Sequence, residues 1–175
     1  MRKIKYKLGA GKCYIDDVES FISNVNQFAQ INDVYVQVLN AEMICGSLHI
    51  DSAIIHALRA YNEKRMRTQS LGMEVLLYAS GERQLTRAIP KMGVKKGACS
   101  IVVSIISDKH STHELSHLLT SFQKQFKFKE DATVLSISIE KLKRWRIQDS
   151  LIKLLSPDEY EDVILEKVAY VDIIK

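Results

Sequence analysis

The 175-residue sequence predicts a mixed α/β (α+β) fold: a single domain in which a central, mainly antiparallel sheet is packed with helices. Three observations predict it. Residues 34–39, 98–106 and 133–139 alternate in polarity or are β-branched, as strands are. Between them, capping signatures precede amphipathic segments: Asp16 with Glu19, Ser111 with Glu114, and the run Ser156-Pro157-Asp158-Glu159. No repeat, low-complexity tract or linker divides the chain. A chain of this length buries roughly 70% of its unfolded surface, so neither a metal nor a disulfide is required to hold it together.

Taken in order, residues 1–14 alternate basic and apolar side chains (Ile4, Tyr6, Leu8), which suits an edge strand with lysines on its open face. Within it, Gly9-Ala10-Gly11-Lys12 imitates a phosphate loop. Tyr6 stands where the earlier glycine belongs and Cys13 where Ser or Thr belongs, so the segment reads as a turn. Asp16 and Glu19 cap a helix with Val18, Phe21, Ile22, Val25, Phe28 and Ala29 on its apolar face. The strand at 34–39 is expected to resume over 43–45. Asp51 is the expected N-cap of a helix that begins at Ser52, runs to about Lys64, and buries Ile54, Ile55, Leu58 and Tyr61.

The next stretch organises the chain. From Leu71 to Ala79 only Gly72 and Glu74 interrupt the apolar side chains, which describes a helix buried on all sides. Glu74 is expected at its exposed edge or paired with a nearby arginine. Ser80-Gly81 ends it, and Leu85, Ala88, Ile89 and Met92 recur at helical spacing. Beyond the strand at 98–106, the helix capped by Ser111 and Glu114 carries Leu115, Leu118, Leu119 and Phe122. Leu142, Trp145 and Ile147 begin a helical region, continued by Leu151 to Leu155. The last helix runs from Ser156 to about Ala169.

Charge is uneven around the buried run. The net charge is only +4. Yet Arg59, Lys64, Arg65 and Arg67 precede the run, and Arg83, Arg87, Lys91, Lys95 and Lys96 follow it, against Glu63, Glu74 and Glu82. Such a rim suits an anionic partner, nucleic acid first. Lys64, Arg65, Arg67, Arg83, Lys95 and Lys96 are the candidate phosphate contacts, although solvated connections explain them as well.

Other classes are disfavoured. Cys13, Cys45 and Cys99 are odd in number and scattered, which reads as reduced thiols and a cytoplasmic setting. Neither a signal peptide nor a membrane-spanning run is recognised. His113 and His117 share a helical face near His110, but no acid is read between them in a His-Glu-x-x-His pattern, Glu114 being assigned to the cap, and a solvated helix flank is expected. No activated nucleophile or carboxylate pair stands out. A non-enzyme with no cofactor, no metal and no small-molecule substrate is expected. Finally, residues 151–174 hold more large aliphatics than two short helices need, and Ile152, Leu155, Val163 and Tyr170 are candidate docking residues. An ordinary buried helix pair explains these almost as well.

Several runs resemble a known family. They are Gly46-Ser47-Leu48-His49, then Ala53 and Ala57, then Glu74-Val75-Leu76-Leu77-Tyr78-Ala79-Ser80-Gly81-Glu82-Arg83-Gln84-Leu85, then Ala88-Ile89 and Met92-Gly93-Val94. Together they resemble the small kinase-binding (TPRKB-type) subunit of the KEOPS/EKC complex, closely over residues 34–106. The resemblance implies a non-catalytic subunit that binds and regulates a small atypical kinase/ATPase. It also implies a share in tRNA recruitment, at the 3′ end, for threonylcarbamoyladenosine modification of adenosine 37. His49 then becomes a candidate to stack on or hydrogen-bond a terminal base, with a core or capping histidine as the alternative. A free-standing RNA-binding domain outside such a complex is the rival reading, and a small metal-dependent hydrolase a third.

Overall fold

The computed structural model describes residues 4–173. Residues 1–3 of the expected first strand, and Ile174 of the apolar tail, lie outside the described residues. In chain order the elements are β1 (Lys5–Ile15), α1 (Val18–Ile31), β2 (Tyr35–Asn40), α2 (Ser47–Asn62), α3 (Leu71–Ser80), α4 (Leu85–Met92), β3 (Gly97–Ser107), α5 (Thr112–Gln125), β4 (Lys129–Glu130), α6 (Ile139–Arg144), α7 (Asp149–Ile152) and α8 (Tyr160–Ile173). Helices and an antiparallel sheet thus make the predicted α+β fold. The chain forms two compact units. One joins the chain up to Ala41 with Val94–Val134, and the other joins Glu42–Gly93 with the chain from Leu135 onward.

The first unit is the sheet, in the order β2-β3-β1-β4 with every pairing antiparallel. On one face Cys13, Ile15, Val38, Ile101, Val103 and Ile105 pack with Phe21, Val25 and Phe28 of α1 and Leu115, Leu119 and Phe122 of α5. Fully burying each such side chain contributes about 1.5–3 kcal/mol. Phe28 meets Phe122 edge-on at 5.4 Å, and Phe122 stacks on Phe126 at 4.3 Å. The continuous β-branched run of β3 is buried on both faces from Ile101 to Ser107, which is why it does not alternate. Ser111 and Glu114 form the expected capping box on α5.

Local reading fails in this unit at four places. β1 is not an edge strand, because β4 pairs with Gly11 and Lys12 on its outer side. Gly9-Ala10-Gly11-Lys12 is neither a turn nor a phosphate loop but the middle of β1. A Cβ at Gly11 would strike the backbone of Lys129, so glycine is what lets β4 approach. The cap of α1 is Asp17 rather than Asp16, its carboxylate accepting from the Ser20 amide at 2.8 Å. The strand expected at 133–139 is replaced by a 3-10 turn over Ala132–Leu135. Asp131 causes this: its carboxylate accepts from the Thr133 amide at 3.0 Å and the Thr133 hydroxyl at 2.5 Å, turning the chain off the sheet. The scattered cysteines also hide a pair. Cys13 and Cys99 oppose each other across β1 and β3 without a disulfide, with Sγ atoms 3.6 Å apart.

The second unit is helical. α3 is its centre, with every residue but Met73 buried, and α2, α4 and α8 pack on it. α2 begins at Ser47, five residues before the expected start. Its orphan donors are met from far along the chain: the His49 amide donates to Glu161 at 3.1 Å. Gly46 precedes it at φ +97, and a Cβ there would collide with the same carboxylate. Ile55 and Ile89, expected in the core, are about half exposed at 51% and 47%. The segment after β2 forms a 3-10 turn over Ala41–Met43 instead of resuming a strand. At the far end the Ser156 amide and hydroxyl both donate to Glu159, at 2.8 and 3.0 Å, starting the last helix as predicted.

Candidate functional site

The basic rim before α3 is tied down rather than free. Glu74 is fully buried, not at the helix edge, and its carboxylate accepts from the Arg67 amide at 3.1 Å, the Thr68 amide at 3.0 Å and the Thr68 hydroxyl at 2.8 Å. That arrangement folds the segment between α2 and α3 back onto α3. Arg65 is ion-paired with Glu63 and with Asp172 of α8, and its guanidinium also reaches the Tyr78 hydroxyl. The Arg67 guanidinium donates to the Val171 carbonyl at 3.0 Å. Lys64 is exposed with φ +53. Arg67 and Arg83 do come together, lining one cavity of about 400 Å³ with Leu77 and Leu85. Lys95 and Lys96 are exposed and belong to the sheet unit.

His49 is a core residue, which corrects its assignment to base stacking. It is fully buried, its Nδ1 accepts from the Cys45 amide at 3.0 Å, and its Nε2–H donates to the Ala79 carbonyl at 2.9 Å. Burial pushes its pKa down to about 4, so the ring is neutral and both nitrogens are spent. The family-like spacing that drew attention to it reflects the joint between α2 and α3.

A larger cavity, about 870 Å³, lies where α4, α6 and α8 meet. Arg87, Lys91, Arg144, Arg146 and Lys167 line it against one acid, Glu82. Lys91 donates to the Ser80 carbonyl at 2.6 Å and sits 3.8 Å from the centre of the buried Trp145 ring, a cation–π contact. Burial lowers its pKa, with Lys167 and Arg146 pushing the same way against Glu82. Arg144 is paired with Glu42 at 2.9 Å. Arg87, Arg146 and Lys167 are exposed and make no ion pair among the described residues. The lining is that of an anion receptor: flat guanidinium donors, an ammonium, and an aromatic wall.

An apolar groove of about 360 Å³ adjoins this cavity and shares Arg146, Lys167 and Tyr170 with it. Leu151 of α7 and Val163 of α8 form its floor. Leu151, Leu154 and Tyr170 are 41%, 82% and 55% exposed, more than ordinary packing leaves open in a stretch this short. Ile152 is only 6% exposed and belongs to the core, which corrects its assignment as a docking residue; the neighbour that faces outward is Leu151. Leu155 is half-buried.

The model of the family described as kinase binding protein CGI-121 matches residues 16–172. The chain belongs to that family. A relative, the regulatory protein Cgi121 of Methanocaldococcus jannaschii, is 27% identical over 139 residues, covering 79% of this chain and 84% of that protein. For a CGI-121 member of this sequence, the features that local reading missed are Arg144, Arg146 and Lys167, which join Arg87 and Lys91 around the cavity, and Leu151 in the groove. Arg87, Arg146 and Lys167 are far apart in sequence, and only the helix packing assembles them.

Proposed function

We propose that this chain is a non-catalytic, kinase-binding regulatory subunit of a KEOPS-like assembly in the cytoplasm. Its second role there is to help recruit the tRNA 3′ end for threonylcarbamoyladenosine modification. Family membership supports the kinase partner. The observation that carries the reading is the groove lined by the exposed Leu151 and Tyr170 and the half-buried Val163 beside a cationic cavity, with Leu154 exposed three residues from Leu151. The small atypical kinase/ATPase docks on the groove, and the cavity cations that make no ion pair among the described residues, together with Arg83, face the tRNA.

Leu151→Glu and Leu154→Glu are expected to abolish co-elution with the kinase while leaving the melting temperature within a few degrees. Truncating a central apolar anchor costs about 2–4 kcal/mol of binding, roughly 30- to 1,000-fold in Kd. Ile152→Glu is the contrast, and will unfold the helical unit instead. Normal kinase co-elution in both leucine variants would sink the docking assignment. Failure of the wild-type chain to capture the kinase would favour the free-standing RNA-binding reading.

For tRNA, Arg87→Ala, Arg146→Ala and Lys167→Ala should each weaken binding and flatten the plot of log affinity against log salt by about 0.7 per lost contact. Arg65→Ala should matter less, because Arg65 is already committed to Glu63 and Asp172. The measurement is salt-dependent binding of tRNA with and without its unpaired 3′ tail. Equal affinity for the two removes the 3′-end claim.

A further inference from the structure

His113 and His117 lie one turn apart on α5, both exposed, with Nε2 atoms 3.2 Å apart and ring centroids 4.4 Å apart. Zinc–nitrogen bonds of about 2.0–2.1 Å put two nitrogens on neighbouring corners of a tetrahedron about 3.3 Å apart. The separation of the two nitrogens therefore already matches that of a chelate. The buried anchors Leu115, Leu119 and Phe122 fix the helix that carries them. The intervening residues also count: His113-Glu114-Leu115-Ser116-His117 has the His-Glu-x-x-His spacing of zinc hydrolases, a match the sequence reading passed over.

The rest of a hydrolase is missing from the described residues. Glu114, which would be the general base, accepts from the Ser111 amide at 2.6 Å in the capping box. No group of three metal-ligating side chains is present among the described residues. His110 is turned away, its Nδ1 within 2.9 Å of the Ser107 hydroxyl.

We propose that His113 and His117 chelate one divalent first-row cation of borderline softness, copper(II), nickel(II) or zinc(II), as a two-ligand surface site without hydrolytic chemistry. In the metal-free pair, one Nε2–H donates to the other Nε2. On binding, that proton moves through solvent to Nδ1 of the same ring, so both Nε2 lone pairs reach the cation and no net proton is released. Water fills the remaining positions. Copper(II) binds tighter than nickel(II) or zinc(II), following the general order for nitrogen ligands.

The test is calorimetric titration of the untagged protein with nickel chloride and, separately, copper chloride, paired with thermal melts. One equivalent should bind, the melting temperature should rise, and copper should bind more tightly. His113→Gln and His117→Gln should each weaken binding at least tenfold and remove the rise, whereas His110→Gln should leave both unchanged. Unaltered binding in either single variant overturns the chelate, as does loss seen only in the double variant. Metal-dependent cleavage of casein by the wild type, absent from His117→Gln, overturns the claim that the site lacks hydrolytic chemistry.

Discussion

Glu74→Ala will destabilise the protein by about 3–5 kcal/mol, the largest single-site effect expected outside the apolar core. The carboxylate is fully buried and accepts from two backbone amides and the Thr68 hydroxyl. Removing it leaves those part-buried donors without their acceptor. The cost is a large share of the roughly 5–15 kcal/mol by which domains are stable. Glu74→Gln tests the charge separately: its amide nitrogen meets donors with donors, so part of the loss should remain. Urea unfolding monitored by far-UV circular dichroism measures both. A midpoint for Glu74→Ala unchanged from the wild type would show that Glu74 does not hold the segment between α2 and α3.

The contrast between Glu74 and its neighbours shows what was legible. The apolar run of α3, the capping box of Ser111 with Glu114, and the uninterrupted β-branched run of β3 are local signals, and each produced its element. An acid inside an apolar run is a different matter. Its burial depends on two amides six and seven residues upstream turning back towards it, and periodicity says nothing of a loop's path. The same holds for α2, whose N-terminus is satisfied by Glu161, 112 residues from His49. It holds too for Gly11, whose missing side chain makes room for Lys129.

The candidate site was legible in character more than in position. Basic residues around α3 include Arg87 and Lys91 of the large cavity, but sequence proximity grouped them with residues that lie elsewhere. Arg65 and the Arg67 side chain are consumed by α8, through Asp172 and the Val171 carbonyl. Among the described residues, the cations of the large cavity that make no ion pair are Arg87, Arg146 and Lys167, brought together by packing of α4, α6 and α8. The apolar surplus near the C-terminus was also real. The choice of Ile152 failed because neighbouring positions on a helix point about 100° apart, and nothing local marked which one faced the core.

Asp172→Asn will loosen α8 and make the protein's acid sensitivity weaker than the wild type's. Asp172 is 18% exposed, and its carboxylate meets His56 at 2.6 Å, Arg65 at 2.7 Å and the Tyr78 hydroxyl at 2.5 Å, tying α8 to α2, α3 and the segment between them. Burial alone would raise its pKa, but hydrogen bonds from Tyr78, Arg65 and His56, with the Arg65 charge, outweigh it and hold the value at about 2. A carboxylate whose folded pKa lies below its unfolded one stabilises the fold while ionised. The contribution, about 2 kcal/mol, is therefore complete above roughly pH 4 and is lost as pH falls towards 2. The stability gap between wild type and Asp172→Asn should be widest near neutrality and should close over that window. Because α8 also carries Val163 and Tyr170 of the groove, the variant should release the kinase faster at pH 7 while its own fold persists. The measurements are urea unfolding of both proteins from pH 7 to pH 2 and kinase dissociation at pH 7. A gap that stays constant across the acid range would show that the Asp172 charge does not anchor the helix.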